Sequence, residues 1–366
     1  MAHFTDPFAA WRADFWWRWK IPPLLAAAYG QVLVLGIPPG PALFLVFSAL
    51  LVVSGAAAFG YAVNDLADRK SDEAAGKPNA MRLLTARQRA FAVALPLLAA
   101  LSAAALADFG RPAVLVLLLE FALAAAYSLP PARLKARGFA GVLAEAAAVL
   151  ALPCLVIVLA FSHRAAAAPL RALIFDAFIL AHCLASGIKG ILSHQDLDRE
   201  NDRAAGLATF GALIEHARIR RILAFWCYPA ELAALCGAAA AVYPAAPLVL
   251  PVFVLYASME LSKMGMGWRV TIGAGQIRYL PFFNNFFQEL TWPLTLAFSL
   301  AVAHPILAVL PLFQVLLFFG NIPQQMEEFL RLNESWKKRH ADLHVSRKRR
   351  EIEAIQHSDR YTRGRK

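Results

Sequence analysis

The residues best suited to chemistry open with Asn64-Asp65-Leu66-Ala67-Asp68-Arg69-Lys70-Ser71-Asp72, which follow directly on an apolar run from Pro41 to Val63. Asn64, Asp68 and Asp72 recur at i, i+4 and i+8, a spacing that sets three oxygen-bearing side chains along one helical face. Such a row of hard oxygen ligands suits Mg²⁺. Alone, the stretch reads equally well as a solvated helix end at a membrane surface. The chain carries a second copy: Asp198 to Gly206 repeats Asp68 to Gly76 at an offset of 130 residues, and His194 falls where Asn64 does. Over 64–76 and 194–206 the two copies share 6 identities in 13 positions.

Seven carboxylates, Asp65, Asp68, Asp72, Glu73, Asp196, Asp198 and Asp202, would repel one another at the mouth of an apolar bundle unless cations were bound. Two facing rows would hold Mg²⁺ with coordination positions left open for a phosphate. The substrate this predicts is a diphosphate. Bases complete the set: Arg69, Lys70 and Lys77 flank the first motif, and the connection Tyr127-Ser128-Leu129-Pro130-Pro131-Ala132-Arg133-Leu134-Lys135-Ala136-Arg137 places three cations beside an aromatic ring. Arg133, Lys135 and Arg137 are equally well read as ordinary cytoplasmic positive charge. A diphosphate held by such groups is a good leaving group, an allylic tail left behind is electron-poor, and aromatic faces stabilise it.

The elements that must position these groups are membrane helices. The chain has 366 residues, 59% hydrophobic and 17% charged, with mean hydropathy +0.53. Soluble domains carry roughly 25% charged residues, and repeated apolar runs of about 20 residues match the thickness of a bilayer. Hydropathy predicts spans near 21–39, 42–63, 89–107, 112–129, 139–160, 170–192, 222–242 and 246–262, then either one more or two, broken at His304-Pro305. The expected fold is all-α, a polytopic membrane bundle of nine or ten transmembrane helices. Connections on the motif side hold 17 Lys and Arg against 3 on the other, which predicts motifs facing the cytoplasm. Residues 1–20, with Trp11, Trp16, Trp17 and Trp19, read as an interfacial segment, 21–320 as the transmembrane domain, and 321–366 as a basic cytoplasmic tail with 12 Lys and Arg, the last favouring ten spans. The net charge of +11 is explained by this topology and by anionic membrane lipids, so no nucleic-acid partner is expected. Cys154, Cys183, Cys227 and Cys236 lie in apolar segments and predict neither zinc nor a disulfide framework.

Taken as a set, Asn64-Asp65-x-x-Asp68-x-x-x-Asp72, Tyr127-Ser128-x-Pro130-Pro131-x-Arg133-x-Lys135 and His194-Gln195-x-x-Asp198-x-x-x-Asp202-x-x-Ala205-Gly206-x-x-Thr209 resemble the signatures of the UbiA superfamily of intramembrane prenyltransferases. The resemblance covers roughly residues 20 to 300. It implies two pseudo-symmetric four-helix halves and Mg²⁺-dependent transfer of a prenyl group from an isoprenyl diphosphate to a hydrophobic or aromatic acceptor, in a bacterial inner (plasma) membrane. It implies that Asn64, Asp68, Asp72, Asp198 and Asp202 bind the Mg²⁺-diphosphate, that Lys135 or Arg133 contacts phosphate, and that Tyr127 lies near the allylic carbon. Asp68, Asp198, Tyr127 and His194 form the expected catalytic set, and Arg69, Lys70, Lys77, Arg133, Lys135, Asp65 and Asp196 the expected substrate-binding set. His194 and Asp196 sit where an acceptor could be oriented or deprotonated, although a histidine capping the sixth span is the plainer reading of His194. Lys189, inside that span, reads as a snorkelling side chain. The tail beyond Gly320 and an extra span depart from the family pattern and leave the subfamily open.

Other classes are weaker. A transferase to a lipid or polyprenyl phosphate, including phosphoribosyl transfer, uses the same donor chemistry. A transporter or cation channel predicts carboxylates inside the spans, whereas these follow them and are accompanied by phosphate-binding bases.

Overall fold

The computed structural model describes residues 6–74, 76–165, 167–204, 206–265, 271–273, 276–278 and 287–323, together with Met326, Leu330, Asn333, Glu334 and Lys337. Most of the basic tail lies outside the described residues. The chain forms helices α1 (Ala13–Leu35), α2 (Pro39–Ala74), α3 (Ala86–Leu106), α4 (Gly110–Ser128), α5 (Phe139–His163), α6 (Leu170–Leu197), α7 (Arg199–Ala204), α8 (Phe210–Leu213), α9 (His216–Val242), α10 (Val249–Gly265), α11 (Trp292–Ala303) and α12 (Pro305–Leu317). Six of these, α2, α3, α4, α5, α6 and α9, are long and apolar enough to cross a bilayer. The protein is an integral membrane protein, and it is helical because a helix satisfies every backbone polar group within the segment. The one departure among the described residues is an antiparallel ribbon of β1 (Thr271–Gly273) and β2 (Gln276–Arg278), with Ile272 opposite Ile277. Hydropathy reads that stretch only as a connection.

Each apolar run predicted from hydropathy coincides with a helix, but two helices run on past their apolar ends. Hydropathy stops at Val63 and at 192, whereas α2 continues to Ala74 and α6 to Leu197. Both acidic motifs therefore continue rigid spans. Three wide π turns, Ala147–Ala151, Leu223–Cys227 and Phe287–Thr291, interrupt α5 and α9 and precede α11. Each is followed at the second residue beyond it by a proline, Pro153, Pro229 or Pro293. Proline lacks the N–H for the bond four residues back and clashes with that carbonyl, and the widened turn accommodates both defects. At Gly187 of α6 an added Cβ would lie 2.7 Å from the Ala146 carbonyl oxygen, so α6 approaches α5 more closely there than any side chain permits.

The N-terminal segment is knitted into the bundle. The Trp11 indole donates to the Ala92 carbonyl at 2.9 Å, Trp17 to the Leu317 carbonyl at 3.1 Å, and Trp16 is buried. The chain breaks at His304, as the His304-Pro305 pair predicts, and α12 returns so that the Asn321 amide donates to the Arg18 carbonyl at 2.9 Å. The end of the bundle thus lies beside the start of α1, on the side of the first motif, which Arg12 contacts.

Candidate active site

Motif one occupies the last turns of α2. Asn64 Oδ1 accepts from Ser128 Oγ at 3.2 Å and from Lys135 Nζ at 3.1 Å; the same ammonium is bonded to Asp68 Oδ2, and Arg133 lies 3.6 Å from Asp68 Oδ1. The i, i+4 spacing thus puts Asn64 and Asp68 on one face, and the loop after α4 supplies their cations. That loop is held by Arg137, which donates to the Pro131 carbonyl at 2.9 Å, and by the Gly138 N–H, which donates to the Ala208 carbonyl at 2.9 Å. Ala208 belongs to the connection after motif two. One loop therefore binds the first row and is tied to the second.

The two motifs end alike. Gly76 and Gly206 take φ of +65° and +67°, a left-handed conformation that favours glycine. The Lys77 N–H donates to Asp72 O at 2.8 Å, and the Leu207 N–H to Asp202 O at 2.9 Å. Three residues after each glycine a polar side chain reaches back: Asn79 Nδ2 donates to Asp72 Oδ2 at 2.7 Å, and Thr209 Oγ1 to Asp202 Oδ2 at 2.8 Å. Each of these also caps the next helical turn, Asn79 accepting from the Met81 N–H and Thr209 from the Ala212 N–H. The repeat is thus conformational and extends three residues past the copied sequence.

Motif two differs in detail. Helix α6 ends at Leu197, Asp198 forms a slight break, and α7 carries Asp202. His194 Nε2 lies 3.4 Å from Asp198 Oδ2, and the His194 side chain is 69% exposed. Burial holds the Asp202 carboxyl above the usual carboxylate range, and neighbouring Asp198 adds to this; the Thr209 hydrogen bond, His194 and Lys77 oppose it. Lys77, which follows motif one, therefore lies within electrostatic reach of motif two. Tyr127 lies within reach of both Asp68 and Asp202.

Other predicted residues lie elsewhere. Asp65 is buried and paired with Arg12 at 3.3 Å, and its carbonyl accepts from Asn79. The Arg12 guanidinium also stacks 4.2 Å from the Phe15 ring centroid. Asp196 is fully buried between Arg199 at 2.7 Å and His216 at 2.6 Å. Both acids are committed to internal ion pairs because their register turns them off the Asp68 and Asp198 faces. Arg69 is partly exposed, Lys70 is exposed, and neither makes an ion pair among the described residues. Lys189 does not snorkel: it is 6% exposed and donates to both oxygens of Glu231, at 2.6 and 2.8 Å.

The donor set fits Mg²⁺. Oxygen donors converge where a cation, the Lys135 ammonium, already sits between Asn64 and Asp68. Among the described residues no three His, Cys, Asp or Glu side chains close a metal cage. Mg²⁺ takes one or two carboxylates and completes its shell with water and substrate phosphate, which the oxygens of Asn64 and Asp68 suit.

A sequence profile of the UbiA prenyltransferase family matches residues 22–266. The chain belongs to this family. Solved structures of relatives share its fold: a UbiA homolog from Archaeoglobus fulgidus bound to GPP and Mg²⁺ is 19% identical with a TM-score of 0.54, over 83% of this chain and 100% of that one. The homolog bound to DMAPP and Mg²⁺ gives the same TM-score and identity over 84% of this chain. An apo UbiA homolog from Aeropyrum pernix K1 is 19% identical with a TM-score of 0.51, over 78% of this chain and 97% of that one. No curated sequence matches the chain.

Sequence reasoning on the UbiA motifs missed Arg12 and Asn79. For Asn79 a signal existed: it lies seven residues after Asp72, as Thr209 does after Asp202.

Proposed function

We propose that the protein transfers a prenyl group from an isoprenyl diphosphate to an aromatic or quinone-precursor acceptor, with Mg²⁺ and with release of diphosphate. The observation that carries this reading is the pair of equivalently terminated acidic motifs joined by one basic loop, in a member of a prenyltransferase family whose relatives were solved with GPP or DMAPP and Mg²⁺. Asn64, Asp68, Asp72, Asp198 and Asp202 would hold Mg²⁺, which when bound neutralises diphosphate charge. Lys135, Arg133 and Lys77 bind the diphosphate and stabilise negative charge as the C–O bond breaks. Tyr127, within reach of both rows, offers an aromatic face to the allylic carbon. His194, beside Asp198 and largely exposed, orients the approach to the second row. Asp65 and Asp196 act indirectly, by fixing the helices that carry the rows.

The same reading assigns two four-helix halves around this site, ten spans with the return of α12 to the Arg18 level, and a tail from 321 onward on the motif face. That face is the cytoplasmic one of a plasma membrane, by the excess of Lys and Arg. The test is diphosphate release by the purified protein from geranyl, farnesyl and geranylgeranyl diphosphate, with Mg²⁺ and a panel of acceptors. Release that requires Mg²⁺ and an acceptor is expected; no release from any donor overturns the reading.

A further inference from the structure

The segment that leads from motif two to α9 is bound to the end of α6 by side chains that the metal-binding reading does not use. Gln195 Oε1 accepts from the Gly211 N–H at 3.1 Å, Arg199 donates to the Ile214 carbonyl, and Arg203 Nε donates to the Ala212 carbonyl at 2.9 Å. At Gly211 an added Cβ would lie 2.4 Å from the Gln195 carbonyl oxygen, so α8 rests directly on the backbone of the last turn of α6. The tie closes at Asp196, whose side chain is fully buried. Its Oδ1 meets Arg199 at 2.7 Å, and its Oδ2 lies 2.6 Å from Nδ1 of His216, the first residue of α9. Among the described residues nothing else meets Oδ2.

A buried carboxylate is costly unless its charge is paired and its oxygens are partnered. Arg199 answers one oxygen, so the other holds His216, and with it the first turn of α9, against α6. Between these fixed points runs the chain 206–215, with Thr209 inside it. Thr209 Oγ1 donates to Asp202 Oδ2 at 2.8 Å and accepts from the Ala212 N–H, in the turn whose carbonyl Arg203 holds. The Asp202 carboxylate is therefore oriented by a turn that is itself pinned from Gln195, Arg203 and His216. Motif one reaches the same capped end by other means. There Arg89 Nε donates to the Met81 carbonyl at 2.8 Å and Arg12 pairs with Asp65, while the residue at the offset of His216 is Ala86, the first of α3. The anchors differ between the copies, and what they share is the placing of the last carboxylate of each row.

We propose that His216 is a positioning residue for the second acidic row: through Asp196 it pins the segment 206–215 to α6 and so holds Thr209 where it orients the Asp202 carboxylate. The role toward metal rests on the Mg²⁺ reading of Asp202; the pinning does not.

The test pairs amide hydrogen exchange over 207–214 with binding of Mn²⁺ alone, read by paramagnetic resonance, on the full chain in lipid nanodiscs. Mn²⁺ shares the preference of Mg²⁺ for oxygen ligands. His216→Ala should raise exchange over 207–214 by at least about tenfold, leave exchange in α2 unchanged, and weaken Mn²⁺ by about tenfold, the low end of what loss of an outer-shell partner costs. The sign is informative. Removing a cation from beside an acidic row by itself strengthens binding of a divalent cation, so weakening reads geometry and not charge. His216→Asn, which keeps a short side-chain N–H donor, should restore both readings. Gly211→Ala, which forces α8 off the Gln195 carbonyl without altering any charge, should reproduce the His216→Ala pattern, and it decides alone if His216→Ala does not fold. Exchange over 207–214 unmoved by these variants overturns the proposal. Raised exchange with Mn²⁺ bound as in the wild type also overturns it, and leaves the Mg²⁺ reading standing. A wild-type protein that binds no Mn²⁺ overturns the Mg²⁺ reading, and the role of His216 toward metal falls with it.

Discussion

The buried pair Lys189–Glu231 allows a stability prediction in which two physical terms can be separated. Glu231 is 0% exposed; its Oε1 accepts from Lys189 at 2.6 Å, from Gln288 at 2.7 Å and from the Ser186 hydroxyl, and its Oε2 accepts from Lys189 at 2.8 Å. These bonds join α6, α9 and the turn before α11. Lys189→Met leaves the carboxylate two neutral donors and no counter-charge. Neutral hydrogen bonds within membrane bundles are worth about 0.6 kcal/mol each, whereas an uncompensated buried charge costs about 3–5 kcal/mol. The charge term wins, so Lys189→Met should destabilise by about 3–5 kcal/mol. Glu231→Gln strands the ammonium instead and should cost a similar amount. The double variant Lys189→Met/Glu231→Gln removes both charges and should be more stable than either single one, which requires a coupling larger than either single loss, above about 3–5 kcal/mol. The assay is a double-mutant cycle on unfolding of the detergent-solubilised protein. Additive losses would refute the reasoning, because they would mean that the groups act as separate hydrogen-bonding or packing elements.

Asp68→Asn and Asp198→Asn should each lower diphosphate release by at least about a hundredfold with unchanged thermal unfolding; retention of a tenth of the activity by either rules out its role. Asn79→Ala and Thr209→Ala, being structural equivalents, should each destabilise by about 1 kcal/mol and weaken Mg²⁺ binding to a similar degree, as melting and Mg²⁺ titration would show. Arg12→Gln should cost about 1 kcal/mol, since the guanidinium is one-third exposed, and Arg12→Lys should not restore it because the stacking on Phe15 is lost; full rescue by lysine would count against this. Burial raises the Asp202 carboxyl in the metal-free protein, so folding favours its protonated form and its contribution to stability falls as pH rises through that range. Mg²⁺ must displace that proton, so Mg²⁺ affinity should weaken on acidification, and an affinity unchanged on acidification through the carboxylate range would contradict this.

How much could be read from the chain depended on where each charge lies relative to the apolar runs. The rows at 64–72 and 194–202 interrupt the hydropathy pattern and repeat, so spacing alone put Asn64 and Asp68 on one face, and Lys135 confirmed the face by binding both. The basic loop was legible as charge but not as a tie between the two motifs, because the Gly138 to Ala208 bond is backbone to backbone and has no side-chain signature. Lys20, Glu120, Glu145, Lys189 and Glu231 were lost inside apolar windows that average a single charge away. Their positions were visible, but a helix sequence does not say which neighbour a side chain meets. Carboxylates thus occur inside the spans as well as in the motifs that follow them, and Lys189 was misread as snorkelling when its partner lies 42 residues away on α9.

The two motifs also differ where exact repetition would make them equal, and the difference has a physical direction. Asn64 is a neutral acceptor enclosed by Ser128 and Lys135, whereas His194 is exposed and its only ion-pair partner among the described residues is Asp198. The first row is closed by the basic loop; the second has its histidine in solvent and draws Lys77 from the other half. A diphosphate reaching such a site would meet preformed cations at the first row and solvent-exposed groups at the second. On the proposed function, the duplicated motifs would supply the metal ligands, and the unduplicated Tyr127 and Lys135 would supply the asymmetry that a reaction between two unlike substrates requires.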